Sequence, residues 1–184
     1  MYLESHNFHW REGFSYDYPQ RRDVFHKLVN SLNHRRICVL TGTRRTGKTT
    51  LMKQFIDHLI DNGTPRANIV YYSFDEDRPS IRDIVQEYER RIGKEIAFSK
   101  DKYFIFLDEI QKLDDWQNKI KYFYDHYKNL KFIVSGSASL FIKEKARESL
   151  AGRMEELSVG SLSFMEYLIF KKKEDMLAKP DMFS

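Results

Sequence analysis

Residues 42–49 read Gly42-Thr43-Arg44-Arg45-Thr46-Gly47-Lys48-Thr49: a glycine, four residues, a second glycine, then a lysine and a hydroxyl. Each part has a use in holding a polyphosphate. The glycines let the backbone curl so that successive N–H groups converge on anionic oxygens. Lys48 carries a compact charge to the outer phosphates, and the Thr49 hydroxyl is a ligand for Mg²⁺. A helix starting at Lys48 adds the positive end of its dipole. Every fixed position of the Walker A pattern is filled. The nucleotide-contact set is thus Gly42, Thr43, Arg44, Arg45, Thr46, Gly47, Lys48, Thr49 and Thr50. Arg44 and Arg45 have two readings, as solvated side chains in a loop that favours positive charge or as contacts to the γ-phosphate or a neighbouring subunit.

A second constellation follows about sixty residues on. Tyr103-Phe104-Ile105-Phe106-Leu107 is an unbroken apolar run that ends in Asp108-Glu109, the Walker B arrangement. Asp108 is placed to hold Mg²⁺ through water, and Glu109 to polarise the attacking water as general base. A fourth apolar run closes on Ser135-Gly136-Ser137, where either serine can reach toward the γ-phosphate or the water, with a plain turn as the other reading. Arg153, after Leu150-Ala151-Gly152, is a candidate arginine finger, acting in cis or in trans, with a structural or exposed arginine as the plainer reading.

The elements that must carry these residues alternate. Strands are expected at Ile37–Thr41, Asn68–Phe74, Tyr103–Leu107, Lys131–Val134 and near Glu156–Val159. Between them lie amphipathic helices from Lys48 to Asn62, from about Pro79 to Ile92, from a cap at Asp114 or Asp115, and from about Ser139 to Leu150. Such alternation implies an α/β fold with a mostly parallel sheet covered on both faces. Residues 1–35 read as an N-terminal arm with one helix near Arg21–Leu32, and 36–160 as the core. Residues 161–184 read as the start of a further helical region, cut through.

Bulk properties narrow the class. Lys and Arg exceed Asp and Glu by 31 to 27, a surplus of +4 too small to announce a nucleic-acid binder. Cys38 has no partner cysteine, which makes a reducing cytoplasm the expected location. No apolar stretch is long enough to span a bilayer, so no membrane role is expected. His6 and His9 are spaced like metal ligands but lack a cysteine or carboxylate pair nearby, and Asp75, Glu76 and Asp77 read as turn residues.

Taken in order, Leu40-Thr41-Gly42 through Lys48-Thr49-Thr50, Phe106-Leu107-Asp108-Glu109-Ile110-Gln111, Ser135-Gly136-Ser137 and Leu150-Ala151-Gly152-Arg153 resemble the ATPase domain of the predicted AAA-superfamily ATPases of archaea and bacteria. The resemblance covers about residues 21–170. Leu162-Ser163-Phe164-Met165-Glu166-Tyr167-Leu168 is similar to that family's Leu-Ser-Phe-x-Glu-Phe-Leu signature. Thr43 and Gly160-Ser161 stand where the family often has proline. The resemblance implies a P-loop NTPase three-layer sandwich with a five-stranded sheet. It also implies a sensor strand between the Walker A and Walker B strands, and a further C-terminal domain. The expected activity is hydrolysis of ATP with Mg²⁺. Alternatives are an ATP-gated switch, a nucleic-acid-associated regulatory ATPase with slow hydrolysis, and a P-loop small-molecule kinase. A GTPase is disfavoured because no Asn-Lys-x-Asp segment follows Asp108. Assembly into a homo-oligomer and a protein or nucleic-acid partner are left open.

Overall fold

A computed structural model describes residues 3–137 and 149–172. Its centre is a five-stranded sheet, every pair parallel, built from β1 (Ile37–Thr41), β2 (Ile69–Ser73), β3 (Tyr103–Asp108), β4 (Leu130–Gly136) and β5 (Met154–Ser158). The order across the sheet is β2-β3-β4-β1-β5. β4, the expected sensor strand, therefore lies between β1 and β3, as anticipated. Five α-helices are described in full: α1 (Val24–Asn30), α2 (Lys48–Asp61), α3 (Ile81–Ile92), α4 (Trp116–His126) and α5 (Phe164–Phe170). The helix expected from about Ser139 falls largely outside the described residues.

Side chains of a strand alternate between faces, and the core divides accordingly. Ile37 and Val39 of β1, with Tyr103, Ile105 and Leu107 of β3, pack beside Ile84 and Tyr88 of α3 and Trp116 and Ile120 of α4. Cys38 and Leu40, with Phe104 and Phe106, face the other way onto Phe25 and Leu28 of α1 and Met52, Phe55 and Ile56 of α2. All five residues of β1 are buried, as a central parallel strand requires.

Local signals set the helix ends, with two departures from expectation. Pro79 lies outside α3 rather than in its first turn. Ser80 is the cap, accepting the Asp83 N–H at 3.1 Å while Asp83 accepts the Ser80 N–H at 3.0 Å. Asp115 precedes α4 but makes no capping bond, because its backbone is left-handed (φ 54°) and its carboxylate accepts from Asn118 instead. Gly63, at φ 87°, ends α2 as read from the sequence, with the Thr64 N–H reaching back to the Leu59 carbonyl at 2.9 Å.

The N-terminal arm does more than lead into α1. Asn7 pairs with Tyr71 of β2 as a strand would, its Nδ2 donating to the Tyr71 carbonyl at 2.9 Å and its Oδ1 accepting the Tyr71 N–H at 2.6 Å. Trp10 Nε1 donates to the Ile69 carbonyl at 2.7 Å. His9 Nε2 meets the same oxygen at 3.1 Å, and His9 Nδ1 lies 3.2 Å from the Tyr16 hydroxyl. These partners fit a neutral ring that donates at Nε2 and accepts at Nδ1. Further along, Gln54 of α2 donates to the carbonyls of Tyr18 and Gln20. At the amino end of β4, buried Lys131 donates to the carbonyls of Ser31, His34 and Arg36 at 2.7, 3.1 and 2.5 Å, tying the turn after α1 to the sheet.

Candidate functional site: a phosphate loop beside paired carboxylates

Parallel strands place their carboxyl ends on one rim, and the register aligns those ends: Thr41 pairs with Gly136, Leu107 with Val134 and Ser73 with Asp108. Gly42 leaves β1 on this rim and passes so close to the chain after β5 that an added Cβ would lie 2.1 Å from the Val159 carbonyl oxygen. No residue with a side chain fits there. Gly47, at φ 91°, turns the chain into α2. Between them Thr43, Arg44 and Arg45 are exposed, and the Thr46 hydroxyl donates to the Thr43 carbonyl at 3.0 Å. Lys48 is buried, its ammonium folded over the loop to the carbonyls of Gly42 at 3.0 Å and Thr43 at 2.9 Å.

The two motifs, apart in sequence, meet at Asp108. Its carboxylate is 1% exposed and receives four donors. The Thr49 hydroxyl donates to Oδ2 at 2.6 Å, and the Tyr71 hydroxyl to the same oxygen at 2.9 Å. The Ser135 hydroxyl and the Glu109 N–H, the latter at 3.1 Å, donate to Oδ1. Burial, reinforced by the neighbouring carboxylate, holds the Tyr71 phenol above its ordinary value and keeps it a donor. Ser135, one of the two candidates on the sensor strand, is thus a partner of Asp108.

Glu109 has a left-handed backbone (φ 55°), an unusual conformation for a residue with a long side chain. The turn takes its side chain off the strand direction, where Gln111 Nε2 donates to Glu109 Oε2 at 2.5 Å. The Ser137 N–H lies 3.3 Å from Gln111 Oε1, so Gln111 bridges the second acidic residue and the end of β4.

The residues fit a magnesium ion. Thr49 spends its proton on Asp108, which leaves hydroxyl lone pairs for a cation, and the donors converging there are hard oxygens. Among the described residues no cluster of three His, Cys, Asp or Glu side chains could hold a metal unaided. Mg²⁺ in nucleotide sites is commonly bound by one or two protein oxygens together with substrate phosphates.

Arg153 is not brought to this rim. Its carbonyl accepts the N–H of Ile37, at the start of β1, while the loop leaves the far end of that strand, roughly 15 Å away. Its guanidinium pairs with Asp125, Nε to Oδ1 at 3.0 Å. Within one chain it cannot serve as the finger. Conversely, Tyr71, Gln111 and Arg22 join the site or its supports without having been singled out. Gln111 stands two residues beyond Glu109 in the Walker B segment, and that position is its one mark in the sequence. Tyr71 and Arg22 carry no local signal.

A parallel sheet in the order β2-β3-β4-β1-β5, with a Walker A loop after β1 and a Walker B carboxylate at the end of β3, defines a P-loop NTPase. Residues 34–168 match the profile of a family described as AAA domain. The chain belongs to that family, a class of nucleotide-binding ATPase domains. Relatives include an uncharacterized protein of Haemophilus influenzae, 27% identical over 148 residues, which span 80% of this chain and 37% of that protein. Uncharacterized proteins of Methanocaldococcus jannaschii (MJ1544) and Mycobacterium tuberculosis (Rv2008c) are each 29% identical. The matches span 82% and 78% of this chain and 31% and 29% of theirs. The chain thus spans about a third of the length of the curated relatives it matches. A solved structure of Caenorhabditis elegans PCH-2 aligns with a TM-score of 0.48 at 21% identity, covering 84% of this chain and 44% of that one. Among the described residues no helix is long and apolar enough to cross a membrane.

Proposed function

We propose that this domain binds ATP with Mg²⁺ at residues Gly42–Thr50 and hydrolyses it to ADP and phosphate. The observation that carries the reading is the 2.6 Å hydrogen bond from Thr49 to Asp108, with the Glu109 carboxylate one residue further on. Lys48, held on the carbonyls of Gly42 and Thr43, can exchange them for β- and γ-phosphate oxygens with a small movement of its ammonium. Thr49 and Asp108 would hold the metal, Asp108 through water; when bound, Mg²⁺ supplies positive charge against the phosphate oxygens. Glu109 accepts a proton from water as its oxygen bonds to the γ-phosphorus and the bond to the ADP oxygen breaks. The preference for adenine rests on the missing guanine segment and on the family.

Steady-state turnover of ATP and GTP by wild type, Lys48→Ala and Glu109→Gln tests this. Glu109→Gln is expected to lose on the order of 10²–10⁴ in rate while still binding Mg-ATP, and Lys48→Ala to lose binding as well. Turnover that survives Glu109→Gln overturns the base assignment, and equal use of both nucleotides overturns the adenine preference. The bond from Gln111 to Glu109 favours a second reading, an ATP-gated switch whose base is restrained. In that case wild type binds Mg-ATP and turns over no faster than Glu109→Gln.

A further inference from the structure

Arg22 stands just ahead of α1, and all five of its N–H donors are used. Nε donates to Glu166 Oε1 at 3.0 Å, and Nη2 to Glu166 Oε2 at 2.9 Å and the Ser161 carbonyl at 3.0 Å. Nη1 donates to the Gly160 carbonyl at 2.8 Å and to the Thr46 carbonyl, inside the phosphate loop, at 2.9 Å. Glu166, in the first turn of α5, also accepts the N–H groups of Asp23 at 3.2 Å and Ser163 at 2.9 Å. The pair is largely buried, with side chains 11% and 7% exposed. The Arg22 hydrogen bonds hold the Glu166 carboxyl down to about 2, so it stays a carboxylate at neutral pH.

The contact with Thr46 matters because of the peptide that follows. The peptide bonds described are all trans, so the Thr46 C=O and the Gly47 N–H point in opposite directions. With the carbonyl held outward by Arg22, the Gly47 N–H is aimed away from Arg22, as a loop that collects phosphate oxygens requires. Gly47 lacks a Cβ to resist rotation of that peptide, and a flipped peptide would turn a carbonyl dipole toward the anion. Something outside the loop must fix its sense.

Resting on the nucleotide-binding reading, we propose that Arg22 is a positioning residue. It holds the Thr46–Gly47 peptide in its phosphate-binding orientation and, through Glu166, couples that orientation to helix α5. Coupling of this kind is reciprocal: what favours the held loop for nucleotide makes bound nucleotide favour the held helix. Nucleotide occupancy is thereby transmitted to α5, the element that ends the described chain.

The test uses Mg-ADP, titrated calorimetrically into wild type, Arg22→Gln, Arg22→Lys and Glu166→Gln, with amide exchange followed across residues 164–170. In wild type, Mg-ADP slows exchange in α5. Arg22→Gln weakens Mg-ADP binding on the order of tenfold and abolishes the nucleotide dependence of that exchange. Arg22→Lys recovers only part, since a point charge cannot serve carbonyls and carboxylate in one plane. Should Arg22→Gln fail to fold, the near-isosteric Glu166→Gln carries the exchange prediction alone. Affinity in Arg22→Gln within about twofold of wild type, or α5 exchange in wild type indifferent to Mg-ADP, overturns the coupling while leaving nucleotide binding intact. Absence of Mg-ADP binding by wild type sinks both readings.

Discussion

Gln111 touches both the carboxylate of Glu109, the proposed base, and the backbone at the end of β4, so it orients that carboxylate. A base displaced by even an ångström loses much of its effect on a bound water. Gln111→Leu is therefore expected to lower kcat for ATP about tenfold with KM little changed, because orientation is needed in the transition state and not for binding. Steady-state kinetics check this, and a rise in kcat would show instead that Gln111 restrains the base. The placing of Lys48, Thr49, Asp108 and Glu109 on one rim was legible in the sequence because each sits in a contiguous motif at the end of an apolar run. Tyr71 was read only as a strand residue. Its meaning comes from a hydroxyl that reaches Asp108 across 37 positions of sequence. The apolar run that reveals a strand says nothing about what one side chain touches at its far end.

At the scale of elements, β2 depends on the arm more than its own composition suggests. Asn7→Ala removes an amide that satisfies both the N–H and the carbonyl of Tyr71. Because Asn7 is buried, the loss is expected to cost about 1–3 kcal/mol in urea unfolding. A change within a few tenths of a kcal/mol would mean that water replaces the amide at no cost. The strands were legible as short unbroken apolar runs and most helices from period-3.6 patterns, and the order β3-β4-β1 followed from the family resemblance. The arm was legible only as a segment with a helix. Its side chains imitate backbone, and no periodicity marks a residue that replaces a strand. Arg153 misled for a related reason, since sequence order after β4 does not say which rim of the sheet a loop returns to.

For the molecule as a whole, the arm carries a titrating group. Burial draws the His9 imidazole down from 6.5 to about 4, the nearby Arg66 adding to the fall while the bond to the Ile69 carbonyl opposes it. Between those two values the unfolded chain binds a proton that the folded chain refuses. Stability from this group is complete above pH 6.5 and declines as pH drops toward 4, by up to about 3 kcal/mol. Thermal or urea unfolding of wild type against His9→Gln measures it, because glutamine donates without titrating; matching acid slopes would refute it. The same arm has a consequence for assembly. A margin of β2 whose Ile69 carbonyl and Tyr71 N–H and carbonyl are already spoken for offers a poor template to a sixth strand. Strand addition is disfavoured where the arm occupies that flank, and the covered stretch resists the ribbon-to-ribbon stacking by which bare β margins aggregate.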